Sequence, residues 1–211
     1  MKVFISGGAK NGKSTFAEDL AIKLSAEGNG PLYYIATMVP SDQEDRERIL
    51  RHRNNRQGKG FITIERHRDI SGLLDMAAAD GTFLLDSVTA LLSNVMFPKL
   101  ERESSQDGTW EENSHNEESF AFDERAGEKV GEDLIRFSEG VKNIIFVSDY
   151  IYSEAKEFDQ WTEAYRRALA HVDKALAAAC HQVIEISAGI PTFHKGGPEE
   201  NRRWRGDNSE K

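Results

Sequence analysis

A single cysteine, Cys180, stands in 211 residues, which excludes an internal disulfide framework and fits a reducing cytoplasm. By itself it reads as a small buried hydrophobe near the end of a helix. No run of about 18 apolar residues occurs, so no helix is expected to span a membrane. The opening run Lys2-Val3-Phe4-Ile5-Ser6 is β-like and lacks the apolar core of a signal peptide. A basic stripe is also missing, which argues against a nucleic-acid partner. The net charge is −9, and residues 99–133 hold twelve acidic and four basic residues, so most of the excess sits in one segment. An anionic body repels phosphate esters, and any phosphate site must therefore be made by local donors.

The chain is long enough for one α/β domain. Strands are expected at Val3–Ser6, Leu32–Thr37, Phe61–Glu65, Thr82–Asp86, Asn143–Ser148 and Val183–Ser187. Helices are expected at Lys13–Glu27, 42–56, Ile70–Ala79, Val88–Phe97, Val130–Glu139 and Gln160–Ala179. Several strands are continuously apolar, as strands covered on both faces are. Their alternation with helices implies a doubly wound, mainly parallel sheet. The domain is expected over residues 1–194, with an acidic mobile insertion at about 99–125 and a polar frayed tail at 195–211.

Gly7-Gly8-Ala9-Lys10-Asn11-Gly12-Lys13-Ser14 fills every fixed position of G-x-x-x-x-G-K-[ST]. An apolar strand precedes it and an amphipathic helix follows, which is the context a phosphate-binding P-loop requires. Backbone amides of such a loop, with the helix N-terminus behind them, face phosphate oxygens. Lys13 would reach the β- and γ-phosphates, the Ser14 hydroxyl would ligate Mg²⁺, and Thr15 follows on the first helical turn. A second magnesium-side carboxylate is expected at a strand end. Phe83-Leu84-Leu85-Asp86 has the pattern, and Asp149 is the weaker competitor. The alternative reading of Asp86 is a cap for the helix starting near Ser87.

His52 lies among Arg48, Arg51, Arg53 and Arg56. One reading is a solvated helix face with an incidental histidine. The other is a nucleophile whose arginine neighbours disfavour its charged form and bind a phosphoryl group in transit. Composition leaves both open. His67, His115, His171, His181 and His194 lack metal-ligand spacing and read as surface or packing residues. Trp161, Tyr165 and Leu169 are helix-spaced and read as core before base-stacking.

GGAKNGKS (Gly7–Ser14), YIAT (Tyr34–Thr37), RIxxHRxxR (Arg48–Arg56), FxTxE (Phe61–Glu65) and LLDSVTALLSNVMF (Leu84–Phe97) occur in one order. Together they resemble the adenosylcobinamide kinase/adenosylcobinamide-phosphate guanylyltransferase family of cobalamin biosynthesis. The resemblance implies a bifunctional transferase. One activity would phosphorylate the corrinoid adenosylcobinamide with ATP or GTP; the other would transfer GMP from GTP to the product. It implies a covalent guanylyl carrier at His52, nucleotide contacts at Ala36, Thr37 and Glu65 beside the arginines Arg53 and Arg56, a metal-side acid at Asp86, and a homotrimer. Two alternatives remain at this level: a P-loop kinase with one activity, and a nucleotide sensor without turnover.

Overall fold

The structure, a computed structural model, describes residues 1–98, 122–151 and 158–197. The acidic stretch 99–121, expected to be mobile, lies outside these residues, as do His115 and residues 198–211 of the tail. Strands β1 (Lys2–Gly7), β2 (Leu32–Ala36), β3 (Phe61–Glu65), β4 (Thr82–Asp86), β5 (Asn143–Asp149), β6 (Gln182–Ser187) and β7 (Ile190–Lys195) form one sheet. Its order is β3-β2-β4-β5-β1-β6-β7. Every pairing is parallel except β6 with β7. The chain is thus an α/β domain with the mainly parallel sheet expected from its alternating pattern.

Helices α1 (Lys13–Gly28), α2 (Gln43–Arg56), α3 (Val88–Met96), α4 (Ala126–Gly140) and α5 (Gln160–Ala179) complete the layers. Strand residues divide between two cores with a period of two. Phe83, Leu85, Ile144 and Phe146 enter the core with α3, α4 and α5. Leu84, Ile145 and Val147 enter the other, with α1. This is why β4 and β5 are apolar at successive positions.

Two expectations need correction. Ile70–Ala79 is not an α-helix: Ile70–Asp75 forms a 3-10 helix. Asp133 of α4 accepts from Ile70 N (2.6 Å) and Ser71 N (3.0 Å), fixing its start. The tight bonds Met76 N to Leu73 O and Gly81 N to Ala78 O then turn the chain into β4. Strand β7 was not expected at all. It is an exposed antiparallel edge carrying Pro191, which an edge strand tolerates. Cys180 does cap α5, buried, and burial pushes its thiol up to about 12.

Candidate nucleotide site

The phosphate loop connects β1 to α1. A side chain at Gly7 would place its Cβ 2.4 Å from the Ile186 carbonyl oxygen of β6, so only glycine fits there. Gly12 has φ of 86°, a left-handed conformation that glycine adopts without steric cost. Gly12 also stands at the N-cap of α1, where no side chain caps the helix and no acid lies in the first turn. The amides at this end are therefore left to an anion, in the field of the helix. Ser14 is half-buried, and Ala9, Lys10 and Thr15 are exposed.

Lys13 is buried, with its ammonium 2.6 Å from Asp149 Oδ1 and donating to Gly8 O at 2.6 Å. A carboxylate and a carbonyl thus hold the charge that a triphosphate would otherwise compensate. Asp149 sits opposite Gly7 in the β1–β5 register. It also lines a cavity of about 380 Å³ at the C-terminal ends of β2 and β4, where open parallel sheets place their ligands.

Five sequence-expected residues share that cavity: Ala36, His52, Arg56, Glu65 and Asp86. His52 and Arg56 are one helical turn apart on α2 and reach it from the same face. Asp86 does not cap α3. Ser87 does so with its own side chain, accepting from Ala90 N. The Asp86 carboxylate instead accepts from Tyr34 OH at 2.9 Å. Burial, then the charge of Asp86, raises Tyr34 well above the ordinary phenol value and keeps it a donor.

The remaining expected residues stand elsewhere. Thr37 is fully buried, and its hydroxyl exchanges hydrogen bonds with Ser87 backbone N (2.8 Å) and O (2.7 Å). It knots the ends of β2 and β4 together. Arg53 faces a shallower depression with Leu50 and Asn54, 3.9 Å from Glu65.

Two cavity residues had been read as packing. His67 Nδ1 lies 3.0 Å from Thr37 O, and Tyr165 OH donates to Thr89 O at 2.7 Å. His67 follows Glu65 by two residues, and nothing else in the sequence marks it.

Arg56 is the least expected feature. It is 6% exposed, its guanidinium carbon lies 3.5 Å from the Tyr34 ring centroid, and Nε and Nη1 have no hydrogen-bond partner. Buried donors without partners are costly, and a planar guanidinium is suited to a phosphate.

A magnesium ion with the triphosphate fits the donor set, a serine hydroxyl at Ser14 and a strand-end carboxylate at Asp86. Mg²⁺ is commonly held by one or two carboxylates together with substrate phosphates. Among the described residues no three His, Cys, Asp or Glu side chains gather into a metal cage. None of their helices is long and apolar enough to cross a membrane.

Comparison with known proteins agrees along the chain. The family model described as cobinamide kinase / cobinamide phosphate guanyltransferase matches residues 3–193. Bifunctional adenosylcobalamin biosynthesis protein CobU of Salmonella typhimurium is 27% identical over 194 residues, covering 90% of this chain and 97% of that protein. Bifunctional adenosylcobalamin biosynthesis protein CobP of Pseudomonas aeruginosa is 29% identical over 199 residues, covering 94% and 99%. These alignments span both proteins almost end to end, so the resemblance extends past the P-loop to the whole domain.

Proposed function

The chain belongs to the cobinamide kinase / cobinamide phosphate guanyltransferase family, and from that premise we propose that it carries out both reactions in the cytoplasm, with His52 as the covalent guanylyl carrier. The observation that carries this reading is the shared cavity. His52 and the buried guanidinium of Arg56, whose Nε and Nη1 make no hydrogen bond, line it together with Asp86, and Asp149 links it to Lys13 of the phosphate loop.

In the kinase reaction the aminopropanol hydroxyl of adenosylcobinamide takes the γ-phosphoryl group of ATP or GTP. The loop amides and Lys13 hold the phosphates. Lys13 exchanges its Asp149 contact for phosphate oxygens, which frees Asp149 at the cavity wall. In the guanylyl reaction a neutral His52 nitrogen attacks the α-phosphorus of GTP. An N–P bond forms, the P–O bond to the β-phosphate breaks, and pyrophosphate leaves. A phosphate oxygen of cobinamide phosphate then attacks the same phosphorus, and the N–P bond breaks. Arg56 binds the oxygens on which charge develops, and Glu65 and Ala36 contact the guanosine. Magnesium, held by Ser14 and Asp86 with the triphosphate, would neutralise charge on the leaving pyrophosphate. The active form is a homo-oligomer, a trimer by family resemblance.

The protein incubated with α-labelled GTP should retain label through base and lose it in mild acid, as a phosphorus–nitrogen bond does. His52→Ala should take up none while still phosphorylating cobinamide in part. Acid-labile label on His52→Ala would assign the carrier elsewhere. Turnover without label in the wild-type chain would leave a kinase alone.

A further inference from the structure

We propose that Glu18 is a positioning residue that docks helix α2, and so His52, onto the phosphate-loop helix through Arg56. The consequence for catalysis rests on the role given to His52 above; the docking itself does not.

Apolar burial does not locate α2. Arg56 is its only buried side chain among those described, Leu50 is 58% exposed, and the helix has no extended packing seam with another helix or strand. Its N-terminal turn is closed by local contacts, Asp45 N to Asp42 Oδ1 and Ser41 Oγ to Asp45 Oδ2. These stabilise the helix without attaching it to the body. The attachment is at the other end.

Glu18 lies on α1, five residues beyond Lys13, and is buried. Its Oε2 accepts from Lys59 Nζ at 2.7 Å, and its Oε1 lies 3.9 Å from Arg56 Nη1. Lys59 belongs to the turn that closes α2, where its N–H donates to Arg56 O. One buried carboxylate thus holds two cations from the end of the nucleophile helix, while the Tyr34 ring covers the guanidinium. Glu18 does not line the cavity, so it acts through Arg56. Without its charge, a buried Arg56 would be left uncompensated, and such a group is expelled toward water. Because His52 is one turn from Arg56, expulsion displaces the imidazole. The same carboxylate stands on the helix whose N-terminus receives phosphate, so the phosphate grip and the nucleophile share one frame.

The test is Glu18→Gln in the full chain, which keeps shape and removes charge. Hydrogen exchange across residues 43–56 should accelerate about tenfold or more, with 160–179 unchanged. The rate constant for labelling His52 at saturating α-labelled GTP should also fall about tenfold. Half-saturating GTP and cobinamide phosphorylation should move less than about twofold, a split that general loosening does not produce. Lys59→Gln should leave labelling near wild type, since Arg56 keeps its partner. Unchanged exchange across 43–56 in Glu18→Gln overturns the proposal, as does equal acceleration in 160–179. A Lys59→Gln variant as impaired as Glu18→Gln overturns it too. Absence of label in the wild-type chain would refute the role of His52, while the exchange result would still decide the docking.

Discussion

The two walls of the cavity are built by opposite means. Strands β4 and β5, carrying Asp86 and Asp149, are buried along nearly their whole length between two apolar cores. Helix α2 and edge strand β3, carrying His52 and Glu65, are mostly exposed, and α2 is held by a stacked, ion-paired arginine. Close-packed cores fix atoms in place, whereas segments with little apolar burial open at low free energy. The proposed grip on the phosphates is tied to the rigid wall, through the contact of Lys13 with Asp149. On the proposed mechanism, the group that would reach two different phosphorus-bearing partners in turn belongs to the adaptable one.

The sharpest way to break this contrast is a pair of truncations. Phe83→Ala on β4 removes a fully buried ring that stacks on Tyr33 at 4.7 Å and meets Phe137 edge-on at 5.1 Å. It should cost about 3–5 kcal/mol. Leu50→Ala on α2 should stay within about 0.5 kcal/mol of wild type. Urea unfolding of both variants measures the difference, and comparable losses would dissolve the distinction between the walls.

Lys13→Ala probes the phosphate loop that contacts the rigid wall, for function instead of stability. It removes the ammonium aimed at the phosphates, a charge-assisted contact of about 1.5–3 kcal/mol, or roughly ten- to a hundredfold in affinity. Asp149, 30% exposed on its side chain, would be solvated, so the fold should survive. Calorimetric titration with Mg²⁺–GTP is the measurement, and unchanged affinity would refute the loop assignment.

The smallest effect concerns the edge beyond both walls. His181 accepts from Lys2 N at 2.9 Å through Nδ1. Burial first, then nearby positive charge, holds its pKa below the ordinary 6.5. The unfolded chain therefore takes up this proton more readily. The stability from His181 is complete above about pH 6.5 and declines as pH falls through the lower folded value. His181→Asn should flatten that decline slightly between pH 7 and 5, read from urea midpoints. A steeper decline would reverse the assignment.

The rigid wall was legible in the sequence because its signals are local. Gly7, Gly12 and Lys13 must occupy fixed positions for a loop to face phosphate, and buried parallel strands announce themselves as apolar runs. The adaptable wall was legible only as a pattern of residue types. Residues 42–56 read as a helix with a solvated face, and nothing local says that Arg56, of the described side chains, turns inward, because its partners Tyr34 and Glu18 are remote in sequence. Strand β7 escaped for a related reason. An exposed edge strand with a proline lacks the alternation that marks a half-buried one, and its support is the neighbouring β6. The start of the 3-10 turn at Ile70 depends on Asp133, more than sixty residues away in sequence.

Beneath the phosphate loop, strand β1 has β5 on one side and β6 on the other. During synthesis the loop therefore emerges before both of the strands that flank it, β5 and β6. Until residues 143–149 have left the ribosome, the apolar run Val3-Phe4-Ile5 has no strand to pair with on either edge, and one edge stays open until 182–187 follow. Such long-range parallel pairing is slow and leaves unpaired edges open to aggregation. A nascent chain halted before residue 182 would carry the complete glycine-lysine signature and yet lack the Ile186 carbonyl against which Gly7 is packed.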